Sequence, residues 1–390
     1  MKSIASVTAT SLVLLAMLFM ACRERDTTVV EQNPPTTPAA PALRTETVVT
    51  GYEVVWGMDF LPNGDLIFTE KRGRMHRHAN GTTTELTGLP TDINAGGQGG
   101  LLDVRVHPSY ASNGWVYATY SSSPAGSRAT QLNLIRFKIN GNRLTDTETI
   151  FRTDASNTWL GHYGGRIAFD RNGLLYLSVG EGGPRSYGGA NSPNQNAQNL
   201  SNGWGKIHRM TDAGRVPAGN PVLPGQTAAT TIFSYGHRNP QGLAFHPTTG
   251  ELWATEHGPR GGDEVNIVQA GRNYGWPLVS HDVTYDGQPV SNSPTREGVQ
   301  APIFTWTPSM GPCGLTFITS DRYPGWKGNL VGGALALTYL SRAEVTNTSV
   351  TREERLLNGQ GRVRHVTQGP DGYLYVSLEG PGRIVRLLAE

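Results

Sequence analysis

The 390-residue chain carries 49 glycines and 25 prolines with only 16% charged residues, a composition that suits many short strands separated by many turns. Its 33 basic and 31 acidic residues leave a net charge of +2, which excludes the electrostatic footprint of a nucleic-acid or anionic-membrane binder. At 37% apolar residues a chain this long buries a sizeable core, and all-β rings of such length fold as one unit.

Residues 1–21 read as a lipoprotein-type export signal: Met1-Lys2, then an apolar run over residues 11–21 that is short for a membrane span, then Cys22. Ala21 puts a small residue ahead of Cys22 and marks that thiol for lipidation; an ordinary cleaved signal is the alternative. Cys313 is the only other cysteine, so a disulfide would tie a flexible N-terminus to the core, and Cys313 reads instead as a single buried thiol. Residues 22–44, with Asn33-Pro34-Pro35-Thr36-Thr37-Pro38, form a Pro/Thr-rich flexible linker, and residues 45–390 form the folded domain.

Within that domain one pattern recurs: an apolar strand, a turn rich in Pro, Asn, Asp or Gly, then a strand of alternating aromatic and aliphatic residues. The copies are MDFLPNGDLIFTE from Met58, LLDVRVHPSYASNGWVYATY from Leu101, RIAFDRNGLLYLSVGE from Arg166, GLAFHPTTGELWATE from Gly242, GLTFITSDRYPGWKGNLVGGAL from Gly314 and VRHVTQGPDGYLYVSLEG from Val363. Six hairpins without a helical period predict an all-β, six-bladed β-propeller; a pair of β-sandwiches is the alternative. Strand material near residues 47–55 would close the ring beside the last blade, because a closed ring leaves only short protected edges.

Polar groups crowd the loops ahead of these hairpins, where a sheet can position side chains around a ligand. The densest stretch runs from Ser234 to Pro277 and holds Arg238, Asn239, Glu256-His257-Gly258-Pro259 and Asp263-Glu264. His162, flanked by Gly161 and Gly164-Gly165, is either a general base or a turn histidine. His107 and His246 precede proline in turns and read as structural, and His257 fits either role. Gln98 sits among four glycines that permit close backbone approach, or in an ordinary loop. Arg362 and Arg364, two apart on a strand, share a face and suit capture of carboxylates, or are solvated. Gly258-Pro259 with Asp263-Glu264 could offer oxygens to calcium, or form a turn with solvated acids.

Taken together, GGQGGLLDVRVHP, GHYGGRIAFD, YGHRNPQGLAF, EHGPRGGDEVN, GRNYGWP, WTPSMGP and GRVRHVTQGPDG resemble, in order, the soluble quinoprotein glucose/aldose sugar dehydrogenases. That family consists of six-bladed propellers using pyrroloquinoline quinone (PQQ) with calcium, and the likeness runs from about residue 48 to the C-terminus. The resemblance implies that His162 is the base that takes the proton from the anomeric hydroxyl of an aldose, and that Arg238 stabilises charge on the quinone oxygen. It implies cofactor contacts from Gln98, Asn239, Ser309, Arg362 and Arg364. Gly258 and Pro259 would hold the cofactor's calcium through their carbonyls, Glu264 and Tyr274 would bind a second, structural calcium, and Glu181 stands where a substrate-contacting aspartate is found. Neighbouring positive charge should keep His162 neutral and able to accept a proton.

Two positions depart from the family. Its glucose enzymes have a cofactor-contacting lysine where this chain has Ala336, and an aspartate just before the base where this chain has Gly161. The resemblance implies an oxidoreductase that passes electrons to a quinone or cytochrome; with the N-terminal signal, the expectation is an exported monomer or homodimer, a periplasmic or cell-surface lipoprotein that meets a membrane only through its N-terminal lipid, or otherwise a secreted protein. The competing readings are a binding or scaffold propeller and a calcium-dependent sugar lactonase; the latter would need carboxylates or Asn at the axial calcium.

Overall fold

Among the described residues, twenty-four strands are grouped into six antiparallel sheets of four, arranged as the blades of a six-bladed β-propeller. The structure is a computed structural model that describes residues 41–185, 188–380 and 382–389. Cys22, the signal and most of the linker lie outside them. Among the described residues the only helix is one turn, Tyr110–Asn113, and no helix is long and apolar enough to cross a membrane.

Each hairpin read from the sequence is the inner half of one blade. The innermost strands are Val55–Phe60, Leu101–Val106, Ile167–Phe169, Pro240–Phe245, Pro312–Phe317 and Arg362–Gln368, and each contacts the next around a closed ring. The second strands, Leu66–Glu70, Val116–Ser122, Leu175–Val179, Leu252–Glu256, Leu330–Ala334 and Leu374–Glu379, are buried at every residue. Neighbouring blades cover both of their faces, which is why they are rich in aliphatic and aromatic residues with few charges. Clusters such as Ile67, Met75, Val104 and Val116 fill the space between blades, and each such side chain contributes about 1.5–3 kcal/mol by leaving water. Outer strands such as Val350–Leu356 are half exposed and polar. The strand Leu43–Thr50 pairs with Arg383–Ala389, so the last blade is completed from the start of the domain and the ring is closed.

Five of the six innermost strands bulge near the same end, at Trp56-Gly57, Leu102-Asp103, Gln241, Gly314 and Arg364. A bulge turns a residue out of its ladder and frees backbone groups. The third blade has no such shift, and from it comes Arg166, only 2% exposed, which takes up what the bulges release. Its guanidinium donates to the carbonyls of Trp56 (3.2 Å), Gln241 (2.9 Å) and Arg364 (2.8 Å), to Asp103 Oδ1 (3.1 Å), to His365 Nδ1 (2.6 Å) and to Cys313 Sγ (3.3 Å). One side chain thus binds all six blades on the axis. Beyond it, where the innermost strands end, lies a second recess of about 370 Å³ walled by Phe169, Phe245, Phe317 and the Asp59–Arg105 pair.

Candidate active site

At the end of the ring where the innermost strands begin, the incoming loops surround a cavity of about 780 Å³. Gln98, Pro259, Ser309, Arg362 and Arg364, five of the positions singled out in the sequence, stand on its walls together with His257, Lys71 and Ala336. The family's lysine position therefore does face the cavity, and it contributes a methyl group there.

His162 lies behind Gln98, whose Oε1 accepts the His162 backbone N–H at 2.9 Å. The chain reaches it through a left-handed φ of 50°, and the residue is 3% exposed. Glu181, two residues beyond the second strand of the same blade, places Oε1 3.0 Å from His162 Nδ1. The other oxygen of Glu181 accepts Trp276 Nε1–H at 2.5 Å, and the residue is completely buried. The structure thus puts Glu181 behind the imidazole, with both oxygens engaged and neither meeting solvent. A carboxylate there accepts from Nδ1–H and leaves Nε2 as the acceptor. Burial, reinforced by the Arg238 guanidinium, pushes the His162 imidazole well below its ordinary range, so the ring is neutral.

Gly161 is explained by Trp159. A Cβ at position 161 would lie 2.8 Å from the indole, which itself packs edge-on against the His162 ring at 4.5 Å. No aspartate fits between them, and Glu181 supplies from behind the orientation that residue 161 cannot.

Arg238 sits over Trp276, 4.9 Å from the ring centre, and its Nη1 donates to the carbonyls of Gly258 (2.7 Å) and His257 (3.2 Å). Glu256, which ends its blade's second strand, receives the Arg238 backbone N–H at 2.8 Å and His237 Nδ1 at 2.9 Å. Asn239 accepts the Gly164 N–H on Oδ1 at 3.0 Å. Arg238 Nε and Asn239 Nδ2 are buried donors without an acceptor among the described residues. Asp263, wholly buried, accepts from Gly258 N–H (2.7 Å), Ser309 Oγ (2.8 Å) and Gly311 N–H (2.9 Å). It joins the Gly258-Pro259 turn to the loop that carries Ser309, so its oxygens serve the scaffold. His257 donates Nε2–H to Pro312 O at 2.8 Å, and burial with Arg238 nearby pushes it down to about 3.

Arg362 and Arg364 meet on Glu379, whose two oxygens accept their Nε–H groups at 2.8 and 2.5 Å. Arg364 Nη1 also donates to Gln241 Oε1 at 3.1 Å. The arginines are thereby aimed as a pair, with their remaining N–H groups available to the cavity.

Glu264 and Tyr274 stand elsewhere, beside a separate void of about 10 Å³ that Glu256, Gly258 and Trp276 also line. The Tyr274 hydroxyl is committed to Ile267 O at 2.6 Å, which leaves its backbone as the part able to serve an ion. Burial, with Glu256 close by, raises the Glu264 carboxyl well above the usual range, so two acids face one small space. Among the described residues, no three His, Cys, Asp or Glu side chains gather as a metal set.

Sequence reasoning did not anticipate what Glu181, Glu256 and Glu379 do. Their signal is positional: in blades 3, 4 and 6 a carboxylate at or just past the end of the second strand fixes an imidazole or guanidinium.

The family model described as Glucose / Sorbosone dehydrogenase matches residues 52–386. The chain is 37% identical over 358 residues to the aldose sugar dehydrogenase YliI of Escherichia coli, covering 90% of this chain and 94% of that protein. The soluble aldose sugar dehydrogenase of Escherichia coli in its apo-form superposes with a TM-score of 0.83 at 34% identity, over 90% of this chain and 100% of that one. The PQQ-bound aldose sugar dehydrogenase of Streptomyces coelicolor superposes with a TM-score of 0.72 at 30% identity, over 91% and 100% of the two chains.

Proposed function

Because the chain belongs to the glucose/sorbosone dehydrogenase family of oxidoreductases, we propose that it oxidises an aldose at C1 to the lactone with PQQ and calcium. The observation that carries this reading is the neutral, oriented His162, held through its backbone by Gln98 on the wall of a cavity of about 780 Å³ that Arg362 and Arg364 also line. A planar tricarboxylate suits that wall, and the unpartnered donors on Arg238 Nε and Asn239 Nδ2 suit its quinone oxygens. When bound, the cofactor supplies the two-electron acceptor that no side chain provides.

His162 takes the anomeric hydroxyl proton on Nε2, and Glu181 holds the ring in that tautomer and steadies the imidazolium that forms. Glu181 acts through His162 and is a positioning residue. Arg238 brings a fixed positive charge to developing anionic oxygen, while Gln98, Asn239, Ser309, Arg362 and Arg364 bind and orient. Gly258 and Pro259 would hold calcium with their carbonyls, and Glu264 with the Tyr274 carbonyl would hold a second ion in the void that Glu256 also faces. The aldose would be delivered, and the electrons collected by a quinone or cytochrome, in the periplasm or at the cell surface after export and lipidation of Cys22.

The test is reconstitution of the apo-protein with PQQ and calcium, followed by aldose-dependent dye reduction. Wild type should turn over and His162→Ala should lose at least about 100-fold in kcat. An inactive wild type across a panel of aldoses leaves a binding propeller, and lactone hydrolysis that needs only the metal leaves a lactonase.

A further inference from the structure

Lys71 has no part in the scheme above, yet it stands on the cavity wall beside the arginine pair. It follows the buried strand Leu66–Glu70, in the turn leading to Arg74–Ala79. Its backbone is fixed on both sides, N–H to Val54 O at 3.0 Å and C=O from Leu101 N–H at 3.1 Å, whatever its side chain. Its Nζ donates to Ala95 O at 3.0 Å, which uses one of the three ammonium hydrogens.

Charge pairing around the mouth is uneven. Arg72 pairs with Glu53, Arg74 with Glu70, and Arg362 and Arg364 share the single acid Glu379. On this side of the cavity one positive charge of the arginine pair and that of Lys71 are left without an acidic partner among the described residues. Burial and the Arg364 guanidinium both press the Lys71 ammonium below its ordinary range, with Glu53 and Glu379 opposing. Cations held side by side against their own repulsion are relieved by an anion placed between them.

We propose that Lys71 is a cofactor-contacting residue, a third cation that grips the carboxylates of the bound quinone together with Arg362 and Arg364; this rests on the PQQ reading above. The blade repeat supports it. Lys71 leaves the end of its blade's second strand on one flank of the arginine blade. Ala336, also on the cavity wall, follows Leu330–Ala334 in the corresponding turn on the other flank. The turn on one flank of the arginine pair thus presents a lysine to the cavity and the corresponding turn on the other an alanine.

The experiment is equilibrium titration of PQQ into the calcium-loaded apo-protein at low and at moderate salt. It compares wild type, Lys71→Met, Lys71→Arg and the double variant Lys71→Met/Ala336→Lys. Lys71→Met should weaken binding about tenfold at low salt and flatten the salt dependence, because one charge-assisted contact is lost. Lys71→Arg should stay within about threefold of wild type, and Ala336→Lys should restore part of the loss. Equal melting of the apo-proteins separates affinity from folding. Wild-type affinity and salt dependence in Lys71→Met overturn the role of Lys71 and leave the functional reading standing. Absence of saturable PQQ binding to wild type overturns both.

Discussion

Glu181 stands 3.0 Å behind Nδ1 of His162, and its second oxygen is locked by the indole N–H of Trp276. Replacing it with glutamine cannot satisfy both neighbours while His162 keeps its proton on Nδ1: either the amide N–H faces a donor, or the ring switches tautomer and Nε2 is no longer the acceptor. Glu181→Gln should lower kcat by about 10- to 100-fold while KM changes little. The acid limb of the rate profile should also move to lower pH, because the carboxylate that favours imidazolium is gone; a purely structural role would leave that limb in place. Steady-state dye reduction across pH reads both.

Stability should fall on the acid side of pH 6.5. Burial pushes His208 to about 4 and His257 to about 3, and holds His162 and His365 well below their ordinary range. His365 cannot gain a proton on Nδ1 without losing the hydrogen bond from Arg166. The unfolded chain protonates these rings near 6.5, so it binds more protons than the fold as pH drops, and each histidine removes up to about 1.4 kcal/mol per pH unit. For His208 the loss runs down to about 4, and for His257 to about 3. The raised carboxyls of Glu264 and Asp263 act in the opposite sense and soften the slope as they protonate. Denaturant midpoints measured between pH 7 and pH 4.5 should decline steadily; a flat profile would contradict the neutral state of the buried rings.

Arg166→Leu should cost about 3–5 kcal/mol, read as a lower denaturant midpoint. The change strands the fully buried Asp103 carboxylate and three carbonyls that accept from the guanidinium. Arg166→Lys should recover only part, since an ammonium has three hydrogens for six partners on different sides.

Calcium should raise the melting temperature of wild type and leave that of Glu264→Gln nearly unmoved. At 100 times Kd the stabilisation is about 2.7 kcal/mol. Because burial and Glu256 keep Glu264 protonated above its ordinary range, the ion competes with a proton, and the calcium effect should grow as pH rises. A calcium response identical in both proteins would remove Glu264 from the site.

The six hairpins were legible because their second strands are covered on both faces and so carry short runs rich in aliphatic and aromatic residues, such as LIFTE, LYLSV and LYVSLE, punctuated by Asn-Gly or Asp-Gly turns. The outer strands were not, because Thr82–Leu86 and Arg143–Arg152 are half exposed and polar, and polar strands look like loops. Closure by strand material near residues 47–55 was expected from topology; the strand that closes the ring is Leu43–Thr50, earlier in the chain, and Val55 already opens the first blade. In the site, Gln98, His162 and the arginine pair announced themselves through flanking glycines or spacing. Arg166, Glu181 and Lys71 did not, since their partners lie dozens to hundreds of residues away or, for Glu181, behind a ring whose direction only the fold decides.

Arg166 fills the axis between the large cavity and the recess beyond it, so the ring has no through-passage. Whatever enters the large cavity must depart by the doorway it came through. A sugar, its oxidised product and any electron-collecting partner therefore queue at one threshold, and a bulky partner cannot wait on the far face for its turn. The arginine that ties the blades together also sets the order of traffic.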